Sequence, residues 1–207
     1  MRKNHNSVEK TGTTMQTRTL VFCALLAAIT VVLARLIIPM PNATTRFSVE
    51  AVPVFLAGML FGPIPGMLVG LVSDAVGCLF SGYGYNPLFA VPPILYGLCG
   101  GLFRPLLARK TTFFTIALAF APAVVLGSIL YQSWSLAFVY NSQGAFKASF
   151  LFLLNQRAIQ FAVTFVLDVL IVWALYKTRM FHAAKLWPPR GRAVGAAPQK
   201  EAQSHDA

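Results

Sequence analysis

Asp74 is a carboxylate set inside an apolar run, and the residues leading to it include a glycine at every fourth position, Gly62, Gly66 and Gly70. At about 1.5 Å of rise per residue, Asp74 lies roughly 18 Å along a helix from Gly62. That is well inside a bilayer core about 30 Å thick. A charge at such a depth costs about 2.5–3.5 kcal/mol on insertion scales, so it faces a bundle interior, a water-filled cavity or a ligand. A second polar row sits near the C-terminal end. With Arg157 as zero and 100° per residue, Gln160, Thr164 and Asp168 fall at about −60°, −20° and +20°, one narrow face of an otherwise apolar helix. The planar guanidinium of Arg157, near the outer end, suits a carboxylate held by two parallel bonds. Asp168 belongs either to a helix-positioning polar seam or to a site, and the residues alone leave both readings open.

Other candidates gather toward the same side. Ser128, Tyr131, Gln132 and Ser135 recur at three- and four-residue spacing, with Trp134 beside them as an interfacial anchor or a ring-stacking surface. The stretch Ser81-Gly82-Tyr83-Gly84-Tyr85-Asn86 alternates tyrosine with glycine, giving stacking surfaces on a backbone free to approach a flat ring. Arg46 stands where a substrate's negative tail would enter, with Glu50 nearby as a pairing partner, and Arg35 is placed to snorkel to headgroups. The candidate binding set is thus Arg46, Asp74, Tyr83, Tyr85, Asn86, Gln132, Trp134, Arg157 and Gln160.

The elements that must hold these groups follow from composition. Of 207 residues 57% are apolar and 11% charged, and the mean hydropathy is +0.65, which places the chain among all-α polytopic membrane proteins. About six segments approach the roughly 20 residues a bilayer demands. They run from about Leu20 to Ile38, Phe47 to Gly62, Pro63 to Phe80, Pro87 to Leu106, Thr112 to Phe138 with a kink at Pro122, and Phe150 to Tyr176. The second is short, which fits a tilted or buried helix. The formal charge of +11 concentrates at the two ends and in the Arg104, Arg109, Lys110 turn. That is the positive-inside pattern rather than a nucleic-acid patch, and it predicts both termini in the cytoplasm and a site opening outward. Residues 1–18 read as a cytoplasmic tail, 19–180 as the membrane domain and 181–207, rich in proline and glycine, as a second, disordered tail.

Catalysis finds no support in the residues. The chain lacks an HExxH zinc helix, a GxSxG elbow and a GxxxxGK(S/T) phosphate loop, and His5, His182 and His205 all lie in the tails. Cys23, Cys78 and Cys99 have no metal-ligand spacing. A structural scaffold would explain the glycine row and the basic ends, but it leaves the outward polar groups without purpose.

Arg46-Phe47, the run Ala57-Gly58-Met59-Leu60-Phe61-Gly62-Pro63, the stretch from Gly66 through Ser73-Asp74 to Gly77, and Tyr96-Gly97 together resemble the substrate-binding S components of energy-coupling-factor (ECF) vitamin transporters, the folate-type members in particular. The resemblance covers about Leu20 to Tyr176. It implies a six-helix protein of the bacterial cell membrane with a vitamin pocket near the outer surface, folate or a related pterin being the expected ligand and another B vitamin the alternative. It further implies that Ala24 and Ala28, an AxxxA pair, contact a transmembrane T subunit docked on two ATP-binding-cassette ATPases. The chain would then need no cofactor of its own, ATP being hydrolysed by those partners.

Overall fold

Glycine lets three helices of this protein touch backbone to backbone. The structure, a computed structural model, describes residues 17–35, 38–39, 46–47, 49–80, 86–139 and 146–178, with the backbone alone at 38–39, 46–47 and 146–149. Helix α2 (Ala51–Phe61), helix α3 (Pro63–Leu79) and helix α4 (Val91–Leu102) form its centre. A Cβ placed on Gly66 of α3 would lie 2.6 Å from both the Gly58 Cα of α2 and the Gly97 carbonyl oxygen of α4. Cβ atoms on Gly58 or Gly97 would collide with backbone in the same way. Without a hydrophobic drive between helices in lipid, such close approach is what lets dispersion and weak polar contacts accumulate.

The chain between α2 and α3 turns on Gly62, whose φ of 106° an L side chain rarely adopts and whose N–H donates to the Gly58 carbonyl at 2.8 Å. Pro63 and Pro65 start α3 where missing N–H groups cost nothing. Arg104 secures the same corner, its Nη2 donating to the Leu60 carbonyl at 3.0 Å. Helix α2 is the short second segment expected from the sequence. Ten of its 11 residues, Ala51 to Leu60, are buried, so it is apolar all round because protein surrounds it all round. It begins at Ala51 rather than Phe47. Residues Arg46–Phe47 (β2) instead pair antiparallel with Ile38–Pro39 (β1) in a two-residue ladder.

Around this centre stand α1 (Thr17–Leu33), α5 (Arg104–Arg109), α6 (Phe113–Pro122), α7 (Gln132–Val139) and α8 (Phe146–Lys177). A 3₁₀ turn, Pro87–Ala90, leads into α4. Between α6 and α7 the backbone is π-helical over Ala123–Tyr131. The kink expected at Pro122 is therefore a change of helix type: proline lacks the N–H for the i→i−4 bond, and the turns beyond it widen. An aromatic chain ties the bundle together, with Phe120 of α6 4.7 Å from Phe55, 5.2 Å from Tyr96 and 6.3 Å from Phe165 between ring centroids.

Two continuous rods, Phe113–Val139 and Phe150–Lys177, are long and apolar enough to cross a membrane, and only 39% and 22% of their most apolar windows are buried. A soluble core helix would be mostly covered, and these are not. Four shorter apolar helices, Thr17–Leu33, Ala51–Phe61, Pro63–Leu79 and Pro87–Leu102, occupy the other expected positions. All-helical architecture is as expected from the sequence, while four of the expected crossings are made of helices shorter than a full span. Of the expected tails, only 17–18 fall within the described residues.

Gly97→Ala is expected to destabilise the purified protein by about 3 kcal/mol or to abolish folding, because no flexible side chain can move out of the way of the new methyl group. Gly77→Ala is the control: nothing lies within 4 Å of a Cβ there. Thermal unfolding in detergent should show a large fall in Tm for the first and none for the second.

Candidate functional site

The glycine row that joins α3 to its neighbours opens at its far end. Gly70 still meets the Pro93 backbone, whereas a Cβ on Gly77 would meet nothing. A cavity of about 290 Å³ begins there, at the small end of ligand pockets, which run to about 300–1,000 Å³. Every long helical rod contributes to it. Thr30, Ala34 and Arg35 come from α1 and the turn after it, and Glu50, Ala51 and Val54 from the start of α2. Ser73, Asp74, Gly77 and Cys78 come from the last two turns of α3, and Pro92, Pro93 and Tyr96 from the start of α4. Ser128 of the π-helical segment, Gln132 of α7, and Phe161, Thr164 and Asp168 of α8 complete the wall.

The hydroxyl groups in this wall are largely committed. Thr30 Oγ1 donates to the Leu26 carbonyl at 2.8 Å, Ser73 Oγ to Gly70 at 3.0 Å and Thr164 Oγ1 to Gln160 at 3.1 Å. Each proton is spent on the preceding turn of its own helix, which leaves oxygen lone pairs for the cavity. Tyr96 and Ser128 share a buried hydrogen bond of 2.7 Å, joining α4 to the π-helical segment. The guanidinium of Arg35 donates to the Gly77 carbonyl and ties the end of α1 to the end of α3. The carboxylates differ from all of these. Asp74 Oδ2 and Asp168 Oδ1 are buried and find no hydrogen-bond partner among the described residues. Asp168 as a whole is 1% exposed. A buried carboxyl oxygen left this way costs several kcal/mol, so its placement requires an explanation other than packing.

Of the candidate binding residues, Asp74 and Gln132 line the cavity. Arg157 and Gln160 do not. They lie one to three turns nearer the start of α8, where the polar row has passed beyond the wall, and Arg157 stacks its guanidinium 5.8 Å from the Phe161 ring centroid. Trp134 is 42% exposed and packs on Phe138 at 5.6 Å and Tyr131 at 6.0 Å, a position on the outer face. Asn86 is used locally, its Oδ1 accepting from Leu88 N at 3.1 Å to cap the 3₁₀ turn. Tyr83, Tyr85 and the Arg46 side chain lie outside the described residues. Ala24 and Ala28 are exposed on α1, whose buried face is Cys23, Ala27 and Thr30.

The candidate binding set omits Tyr96, Ser128, Glu50 and Asp168, although Ser128, Glu50 and Asp168 are each singled out in the sequence. Asp168 carried a signal, since it closes the polar row of α8. Tyr96 carried none: a tyrosine in an apolar helix reads as packing until Ser128 appears opposite its hydroxyl.

A bundle of apolar helices whose buried polar groups converge on a closed-ended cavity is the architecture of a membrane-embedded binding subunit. Residues 14–177 match the family described as ECF-type riboflavin transporter, S component, and the chain belongs to that family. Its members are integral membrane transport subunits and not enzymes. The crystal structure of FolT bound with folic acid is similar at 26% identity and a TM-score of 0.65, over 79% of this chain and 95% of that one. The S component for biotin from an ECF-type ABC transporter shares the fold at 19% identity and a TM-score of 0.52, over 77% and 91% of the two chains. A UPF0397 protein of Streptococcus pneumoniae (strain CGSP14) is 37% identical over 78 residues, 38% of this chain. The match spans 43% of that relative's own length, less than half of it. The S-component assignment made from the sequence therefore holds, and the vitamin in the family's description is riboflavin.

Tyr96→Phe leaves the Ser128 hydroxyl buried beside an apolar ring, and is expected to cost about 1–3 kcal/mol. Thermal unfolding of the ligand-free protein measures it, and Ser128→Ala combined with Tyr96→Phe should recover part of the loss.

Proposed function

We propose that this S component captures folate or a related pterin at the outer face of the membrane and delivers it inward with a T subunit and two ABC ATPases. The observation that carries the ligand assignment is Asp74 Oδ2, buried in the cavity wall with no hydrogen-bond partner among the described residues. The 2-amino group and neighbouring ring nitrogen of a pterin present two parallel N–H donors, the geometry a carboxylate accepts best. Phe161 and Tyr96 add aromatic surface to the wall, in keeping with a flat fused ring. The cavity is small, which favours the ring inside and the glutamate tail toward the entrance, where Arg46, Arg157, Tyr83 and Tyr85 remain the candidates for contact. The folic acid complex of FolT, similar along most of its length, points to the same ligand class.

Riboflavin is the second reading, favoured by the description of the matching family. A flavin offers one imide N–H between two carbonyls, a poorer complement to Asp74 and a better one to the amide of Gln132.

The orientation proposed has both termini in the cytoplasm. Arg18, Arg104, Arg109, Lys110 and Lys177 fall at the ends of helices remote from the cavity-lining residues, as the positive-inside rule requires of the inner side. The exposed Ala24 and Ala28 leave a low-profile strip on α1 for a partner helix.

Titration of the detergent-purified protein with folic acid and with riboflavin tests the assignment. Submicromolar binding of folic acid is expected, weakened about 10- to 100-fold in Asp74→Asn by loss of a charge-assisted pair. Tight binding of riboflavin alone would establish the second reading, and binding of neither would leave a scaffold. Ala24→Trp and Ala28→Trp should each abolish co-purification of the T subunit and ATPases while leaving ligand affinity within a factor of about two, since both side chains point away from the cavity.

A further inference from the structure

The cavity wall is unbalanced in a way that constrains its ligand further. Three carboxyl groups, Glu50, Asp74 and Asp168, face it, against the amide of Gln132 and the guanidinium of Arg35, which donates to the Gly77 carbonyl. The hydroxyl protons of Thr30, Ser73 and Thr164 are spent within their own helices. What the wall offers is therefore mostly acceptors, and a ligand that satisfies it must mostly donate.

The two carboxyl oxygens without partners also come from different walls. Asp74 belongs to α3, which packs on α1, α2 and α4, while Asp168 belongs to α8, which packs on α2, α6, α7 and the π-helical segment. Thr164, one turn before Asp168, turns its lone pairs the same way, and Phe161, two turns before it, supplies a ring face. Asp168 is only 1% exposed, so it is no part of a surface ion pair.

We infer that Asp168 is a second ligand-contacting residue, and that the site selects planar heterocycles carrying an exocyclic amino group beside a ring N–H, the paired donors read by Asp74 and the remaining amino hydrogen by Asp168. The inference rests on the reading of the cavity as a vitamin site and adds to it a rule for what is refused. Rings whose exocyclic amino groups are replaced by carbonyls meet acceptors with acceptors, and acidic substituents are kept out of the cavity by the same carboxyls. A mismatch of that kind leaves buried polar groups unpaired on both sides.

Binding of pterin (2-amino-4-oxopteridine) and of lumazine, its 2,4-dioxo counterpart, to the full-length protein in detergent, with folic acid and riboflavin alongside, tests the rule. Pterin is expected to bind at least about 10-fold more tightly than lumazine. Asp168→Asn should weaken pterin and folic acid about 10- to 100-fold, with a lost ligand-induced rise in Tm but little change in the Tm of the ligand-free protein. Asp168→Glu, which keeps the charge, should recover part of the affinity. Asp168→Asn that lowers the ligand-free Tm while sparing affinity, or equal binding of pterin and lumazine, overturns the inference and leaves the vitamin assignment standing if Asp74→Asn still weakens folic acid binding. Absence of binding by all four compounds to the unmutated protein overturns both. Should Asp168→Asn not fold, the pterin-to-lumazine ratio of the unmutated protein decides.

Discussion

Contact between helix backbones at Gly58, Gly66 and Gly97 is the constraint on which the rest of the molecule depends. It seats α2 inside the bundle, and thereby dictates that α2 be apolar on every side. It fixes α3 against α4 along most of its length, so that Asp74, a turn past the last tight contact at Gly70, is delivered to one particular place. The row ends at Gly77, where a Cβ would meet nothing among the described residues, and the separation of helices beyond that point is what makes a cavity. Side chains larger than hydrogen at these positions would push the helices apart and leave neither the tight centre nor the hollow beside it.

Within that frame, the polar chemistry is divided between groups that satisfy themselves and groups that do not. Hydroxyls of Thr30, Ser73 and Thr164 bond to the turn before them, which costs the membrane interior little and leaves acceptors on the cavity side. Tyr96 and Ser128 satisfy each other, and in doing so link α4 to the segment whose π-helical form follows from Pro122. One oxygen each of Asp74 and Asp168 does neither among the described residues. A protein that retains two such oxygens in an apolar bundle spends stability on them.

Membership of the S-component family gives this arrangement its setting. A subunit that binds and carries needs a selective hollow at one end and smooth apolar flanks, without nucleophile, base or metal. The long rods Phe113–Val139 and Phe150–Lys177 supply flanks suited to lipid, and α1 presents its small residues on an outer strip.

Much was legible from residues alone because hydrophobicity and spacing are local properties. Composition determined the class, glycine spacing marked the close-packed helix row, and the depth of Asp74 marked a residue of the cavity wall. The short second segment announced its own burial by being apolar on all faces. What the sequence did not determine was which of several polar residues share one hollow. Arg157, Gln160, Thr164 and Asp168 occupy a single face of α8, yet only the last two reach the cavity, because the height of α8 against its neighbours is decided by packing with α2, α6 and α7 and leaves no trace in periodicity. The Tyr96–Ser128 pair spans 32 positions, and its existence depends on a crossing between elements that neither local pattern encodes. Periodicity assigns a residue to a face; only the tertiary structure assigns that face a depth and a partner, since both are set by contacts between segments far apart in the chain.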